Sequence, residues 1–192
     1  MRYSPEHKEE TRRRILDAAA RAFRRQGFEK ASVAEIMDDA GLTVGGFYRH
    51  FSCKEELFDA AMIEAMGDTL RLMQSRGPSQ NRGTAWLERA ATYYLNLKHR
   101  EMVELGCPLP SLTGEIGRRD PALRQRFEST LDDVADEVAH RIDPDGEEPA
   151  ASKKRAWGFL STLVGSLLLA RGVESEETAQ EILEAGREAA SR

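Results

Sequence analysis

The sequence predicts an all-α protein of about nine helices. Apolar residues return every three or four positions along nearly the whole chain, and no segment alternates with the period of two expected of a half-buried strand. Gly, Pro and capping residues fall between the periodic runs. With 192 residues, 40% hydrophobic and 32% charged, the composition is that of a globular chain able to bury a good core, which excludes disorder along its whole length. Internal repeats and low-complexity tracts are absent from it.

Taken in order, Ser4 and Pro5 supply a cap and a first-turn proline. Ile15, Leu16, Ala19, Ala22 and Phe23 then mark one helix face until Gly27, with Arg12, Arg13 and Arg14 on the wet side or its edges. Ser32 and Glu35 form a capping box for a second helix of about two turns, carried by Val33, Ile36, Met37 and Ala40 and closed by Gly41. Thr43 is placed to cap a third helix that opens on Val44, Gly45 and Gly46, where Phe47 and Phe51 share a face and Tyr48 points elsewhere. Ser52 with Glu55 reads as another capping box, and Leu57, Phe58, Ala61, Met62, Ala65 and Met66 carry a fourth helix to about Gln74.

Residues 76–83 are a loop by composition, and Trp86, Leu87, Ala90, Ala91, Tyr94 and Leu97 mark the helix after it. The stretch Gly106-Cys-Pro-Leu-Pro110 is expected to interrupt regular structure, because each proline disfavours helix for the residue before it. Asp120 and Pro121 start a long helix through Leu123, Phe127, Leu131, Val134 and Val138, and residues 143–149 form an acidic loop. Two last helices, roughly 151–171 and 176–190, are separated by Gly172.

Residues 31–51 thus read as two short helices around a tight Gly-containing turn, which is the grammar of a helix-turn-helix. Small residues at the start of the second helix let its first turn approach the major groove of DNA. Charge agrees with this placement: residues 1–54 hold 11 Lys and Arg against 8 Asp and Glu, a net +3, whereas the rest of the chain carries −8 of the overall −5. In Gly41-Leu-Thr-Val-Gly-Gly-Phe-Tyr-Arg-His-Phe51 and Ser52-Cys-Lys-Glu-Glu-Leu57, with Arg13-Arg-Ile-Leu-Asp-Ala-Ala-Ala-Arg-Ala-Phe23 and Gly27-Phe28 upstream, the chain resembles the TetR family of bacterial transcriptional regulators.

The resemblance implies a helix-turn-helix DNA-binding domain over residues 1–52 and a helical ligand-binding and dimerisation domain over 53–192. It implies that Thr43, Val44, Gly45, Tyr48 and His50 face double-stranded operator DNA, with Tyr48, His50 and Lys54 on phosphates, while Phe47 and Phe51 belong to the core. Arg2, Lys8 and the Arg12–Arg14 cluster are either further phosphate contacts or simply a solvated face. A homodimer on a palindromic operator, repression as the usual outcome, and a small-molecule effector held among the body helices follow from the same resemblance.

In the body, Met62, Met66, Trp86, Tyr93, Tyr94, Phe127 and Trp157 are candidates to line an effector pocket, although residues of this kind at helical spacing also pack helices where no cavity exists. The helix with Trp157, Leu160, Leu163, Val164, Leu167 and Leu168 is apolar around much of its circumference, and Gly158 and Gly165 leave a narrow face for another helix. With Ile182, Leu183 and Gly186 of the last helix, the positions Gly158, Leu160, Val164, Gly165 and Leu168 make the expected dimer interface.

Cys107, between Gly106 and Pro108, is a candidate pocket residue and supports an alternative reading as a thiol-based sensor of oxidants or electrophiles; its plain alternative is a small buried residue. Cys53 and Cys107 form no CxxC or Cys/His cluster, and His7, His50, His99 and His140 lack ligand spacing, so no metal or cofactor is expected. The sequence shows no nucleophile with a base, no carboxylate pair beside a histidine and no phosphate-binding Gly-rich loop, which speaks against an enzyme. The start of the chain runs into a charged helix without an apolar signal segment, and the run 157–173 is too short and too polar to cross a bilayer, so a cytoplasmic protein is expected.

Overall fold

The computed structural model describes residues 5–76 and 82–191, with side chains described over 6–71 and 82–191, and these described residues form ten α-helices. They are α1 (Pro5–Lys30), α2 (Val33–Asp39), α3 (Val44–Phe47), α4 (Lys54–Arg76), α5 (Thr84–Tyr94), α6 (Leu97–Glu101), α7 (Leu109–Ile116), α8 (Pro121–Ile142), α9 (Pro149–Gly172) and α10 (Glu176–Ala190). No strand occurs among the described residues, as the sequence predicts. The Ser4 cap, Arg2 and most of the 76–83 loop lie outside them.

Two of the caps read from the sequence form as placed. The Ser32–Glu35 box closes in both directions, and Asp120 accepts from the amides of Ala122 and Leu123; Ser175, not among the expected caps, accepts from the Thr178 amide at the start of α10. Two caps differ. Thr43 takes the N-cap position of α3 in extended backbone, yet its hydroxyl makes no capping bond, because the Gly46 amide already donates to the Thr43 carbonyl at 2.9 Å in a tight turn. Glu56, rather than Glu55, closes on Ser52, accepting from its amide at 2.7 Å and its hydroxyl at 2.6 Å; α4 begins at Lys54, which puts Glu56 and not Glu55 in the third helical position.

The middle of the chain departs most from expectation. The helix drawn from Trp86 to Leu97 stops at Tyr94, and Asn96 caps the separate α6 by accepting from the His99 amide at 2.9 Å. Pro108 and Pro110 do not end regular structure; they open α7, where first-turn amides need no helical acceptor and proline is therefore tolerated.

Packing runs in sequence order, with α1 against α4 and α7, α4 against α8, α8 against α9, and α9 against α10. Phe23 and Phe28 stack on each other and each meets Phe58 edge-on in one core, their ring centres 5.0 and 5.3 Å from that of Phe58. Trp86, Phe159, Leu167 and Leu183 centre a second core. Helix α8 serves both, giving Leu123, Phe127 and Val134 to the first and Val138 and Ile142 to the second. Each fully buried aromatic or aliphatic side chain stabilises by roughly 1.5–3 kcal/mol.

The α9–α10 contact is close enough to need a glycine. A Cβ at Gly186 would run into the Ser166 side chain and stand 2.9 Å from Leu95 Cδ1. Gly186→Ala is therefore expected to lower stability by about 1–3 kcal/mol in urea unfolding. Unchanged stability would mean that α10 can withdraw from α9 at no cost.

Candidate DNA interface and internal cavity

The turn between α2 and α3 is braced from inside. Gly41 adopts φ 66°, which a side-chain-bearing residue adopts only under strain, and Arg14 donates to the Ala40 carbonyl at 2.5 Å across 26 positions. Phe47 and Phe51 stack at 5.9 Å between ring centres and are 1% and 2% exposed, anchoring α3 from below. What remains outside is Thr43, Val44 at 44%, Gly45, and Tyr48 at 71% exposure, the Tyr48 ring standing edge-on to Phe47 at 5.1 Å. A Cβ at Gly45 would meet nothing within 4 Å, so the fold itself does not require a glycine there.

His50 is half-buried, and its Nδ1 is buried without a hydrogen-bond partner. Burial first, then the charges of Lys8, Arg12 and Arg49, hold its pKa below the usual histidine range, so the ring is neutral inside a basic cluster. Arg12 lies 4.7 Å over the Phe51 ring. Lys54 turns back into the fold: its ammonium donates to the Glu29 carbonyl at 3.2 Å and sits 4.4 Å over the Phe28 ring. The structure thus gathers Thr43, Val44, Gly45 and Tyr48 on one outward surface with His50 at its edge, and engages Lys54 elsewhere.

Below the head, α1 kinks at Gly27 (φ 78°), freeing the Phe28 amide to donate to Glu115 of α7 at 2.9 Å. A cavity of about 1190 Å³ opens between α1, α4, α5, the 95–107 segment and α9. Met66, Trp86, Tyr93, Tyr94 and Cys107 line it, whereas Met62 and Phe127 pack in the first core and Trp157 sits away from it under Lys153. Sequence reasoning missed the Arg24, Leu160 and Val164 walls. Arg24 gave no signal, because a helical arginine turned inward is indistinguishable in sequence from one turned out.

Asn96 and His99, polar positions inside an apolar pattern, also line the cavity. His99 donates from Nδ1 to the Tyr94 carbonyl at 2.7 Å and accepts at Nε2 from the Cys107 amide at 3.1 Å, a pattern only the neutral ring can make. Its pKa is lowered, chiefly by burial. The ring presses on bare backbone, where a Cβ at Gly106 would lie 2.6 Å from Nε2. The Tyr94 hydroxyl is buried without a well-formed hydrogen bond, beside the Cys107 thiol. Burial pushes the Cys107 thiol up, away from the thiolate that oxidation chemistry uses, while Cys53 is exposed.

On α9, Gly158 and Leu168 face outward and Gly165 has nothing within 4 Å of a Cβ, whereas Leu160 and Val164 face the cavity. Ile182 is half-buried, and Leu183 and Gly186 are consumed within the α9–α10 contact. Among the described residues no helix is long and apolar enough to cross a membrane, and no group of three or more His, Cys, Asp or Glu is arranged to hold a metal.

A braced helix-turn-helix on an all-helical body containing a cavity places the chain in the helix-turn-helix class. Residues 15–61, the head with the helix-turn-helix, match the family model described as bacterial regulatory proteins, tetR family. Among curated relatives it is 32% identical over 76 residues to the uncharacterized HTH-type transcriptional regulator YfiR of Bacillus subtilis, covering 40% of this chain and 37% of that one. It is 33% identical over 100 residues to the A-factor receptor protein of Streptomyces griseus, covering 52% of this chain and 34% of that one. The alignments thus span about a third of the length of these relatives. A TetR transcriptional regulator from Chloroflexus aurantiacus shares the fold with a TM-score of 0.77 at 22% identity, over 97% of this chain and 94% of that one.

The buried neutral His99 gives stability a pH dependence of definite sign. Its folded pKa lies below the unfolded value of about 6.5, so the unfolded chain binds more protons between the two, and stability is lost as pH falls below about 6.5. Urea midpoints between pH 5 and 8 should show that slope, and His99→Gln should flatten it; an equal slope in the variant would assign the effect elsewhere.

Proposed function

We propose that the protein is a dimeric transcriptional regulator that binds a palindromic operator through Thr43, Val44, Gly45, Tyr48 and His50, and that an effector in the body cavity changes its affinity for that operator. The observation that carries this reading is the outward turn of α3: Tyr48 is 71% exposed and Gly45 is bare where the fold does not ask for a glycine. Exposed small residues at a helix start, next to Lys8, Arg12 and Arg49, suit a backbone-close approach to phosphates and base edges. The named relatives are regulators rather than enzymes, in keeping with a non-catalytic role. Release of DNA on effector binding, hence repression, is the outcome this reading adopts.

The cavity touches α1 and α4, and both helices belong to the core that carries the head, so a ligand that spreads its walls would also tilt the helix-turn-helix. Domain limits of 1–52 and 53–192 suit this division of labour. For the dimer, the outer face of α9 is the favoured surface: Leu168 and Leu169 are 52% and 63% exposed, in line with the open Gly158 and Gly165. The effector reading is preferred to sensing by Cys107, because burial keeps that thiol protonated.

Genome-wide capture of DNA fragments by the purified protein at low salt should enrich a palindrome, and Tyr48→Ala should lose it while unfolding at the same urea concentration. Absence of enrichment at low salt would sink the operator reading. In sedimentation, Leu168→Glu should halve the mass of the wild-type particle; an unchanged dimer would move the interface off α9.

A further inference from the structure

The cavity has an uneven electrostatic lining. Its mouth carries Asp17, Glu64 and Asp68, all exposed, and Glu64 and Asp68 both pair with Arg71, so solvent and counter-charge screen them. Deeper in, Cys107 and His99 are neutral and the His99 nitrogens are both engaged. That leaves Arg24. Its Nε donates to the Glu104 carbonyl at 2.7 Å, but neither terminal nitrogen has an acceptor and no carboxylate pairs with it among the described residues; the segments outside them contain no Asp or Glu.

Other arginines at the same segment are spent more fully. Arg171 uses all three nitrogens, on the carbonyls of His99 and Arg100 and on Ser111, and Arg100 uses two on the carbonyls of Ala170 and Val173. Arg24 alone of these faces the cavity with its outer edge open. The second unmet group there is the Tyr94 hydroxyl, buried with no acceptor of good geometry. Both side chains line the cavity and neighbour Cys107, so a cationic fork and a hydroxyl lying just beneath the surface stand at one part of its wall.

We propose that the cavity selects an apolar organic anion, its carboxylate or sulfonate set against the Arg24 guanidinium and the Tyr94 hydroxyl and its body against Trp86, Phe159 and Leu163. This deepens the effector reading above and rests on it. An acid group satisfies the two unpartnered donors at once, whereas a cationic ligand would meet Arg24 with like charge and a neutral one would leave the guanidinium edge unpaired. The cavity volume exceeds the drug-sized range of roughly 300–1,000 Å³, so a bulky apolar body fits.

Two probes that differ only in the acid group test this on the full-length protein: 8-anilinonaphthalene-1-sulfonate and its uncharged counterpart N-phenyl-1-naphthylamine. Binding is read as energy transfer from Trp86, with Trp86→Phe confirming the site. The sulfonate should bind about tenfold or more tightly than the neutral probe, and Arg24→Met should remove that preference while neutral binding persists. Tyr94→Phe, which deletes one oxygen from the wall, should weaken the sulfonate alone and serves if Arg24→Met fails to fold. Equal affinity for the two probes, or a preference that survives both variants, overturns the anion proposal and leaves the cavity reading intact. If neither probe draws energy from Trp86, the cavity reading falls with it.

Discussion

Between Tyr94 and Leu109 the chain crosses the body of a helical bundle with only the five-residue α6 for regular structure, so several of its carbonyls find no backbone N–H donor in a helical ladder. Arginines from three other helices take that role. Arg24 of α1 binds the Glu104 carbonyl, Arg171 of α9 binds those of His99 and Arg100, and Arg187 of α10 binds that of Leu95 at 2.7 Å. Arg100 reciprocates by closing the end of α9 at Ala170 and Val173, where a cation also suits the negative end of the helix. Leaving one such carbonyl buried and unpaired costs about 1–3 kcal/mol, so this set holds a segment that would otherwise return to solvent.

The cavity is a consequence of the same break. A continuous helix from Trp86 onward would fill the space with its own side chains; stopping at Tyr94 and resuming at Leu109 leaves a wall of loop, Cys107 and His99 instead. Arg187 pairs with Glu184, but Arg24, Arg100 and Arg171 have no carboxylate within ion-pair distance among the described residues, which makes this interior positively biased although the whole chain carries −5. Burial accordingly lowers the pKa of both Arg24 and Arg171.

The segment also touches the head. Glu104 binds Arg25 as well as accepting from Arg24, and Glu115, one helix later, accepts the Phe28 amide at the α1 kink. One stretch of about twenty residues therefore borders the cavity, clamps α9 and grips the helix that carries the helix-turn-helix. A displacement of the 95–107 wall cannot leave α1 unaffected while these bonds persist.

The all-helical class, the two short helices of the head, the buried Phe47 and Phe51 and the Ser32 and Asp120 caps were legible in sequence, because periodicity and capping are local: each needs only residues within one or two turns. The exposed Tyr48 and Val44 were legible for the same reason, as positions off the apolar face of α3. Lys54 folding back onto Glu29, the one-residue shift from Glu55 to Glu56 and the inward turn of Leu160, Val164 and Leu183 were not. The break at Tyr94, the opening of α7 on two prolines and the cavity between them were decided by tertiary structure alone. They rest on bonds spanning 72, 80 and 92 positions, from Arg171, Arg24 and Arg187, and no local rule says which arginine on a helix turns inward to meet a carbonyl so far along the chain.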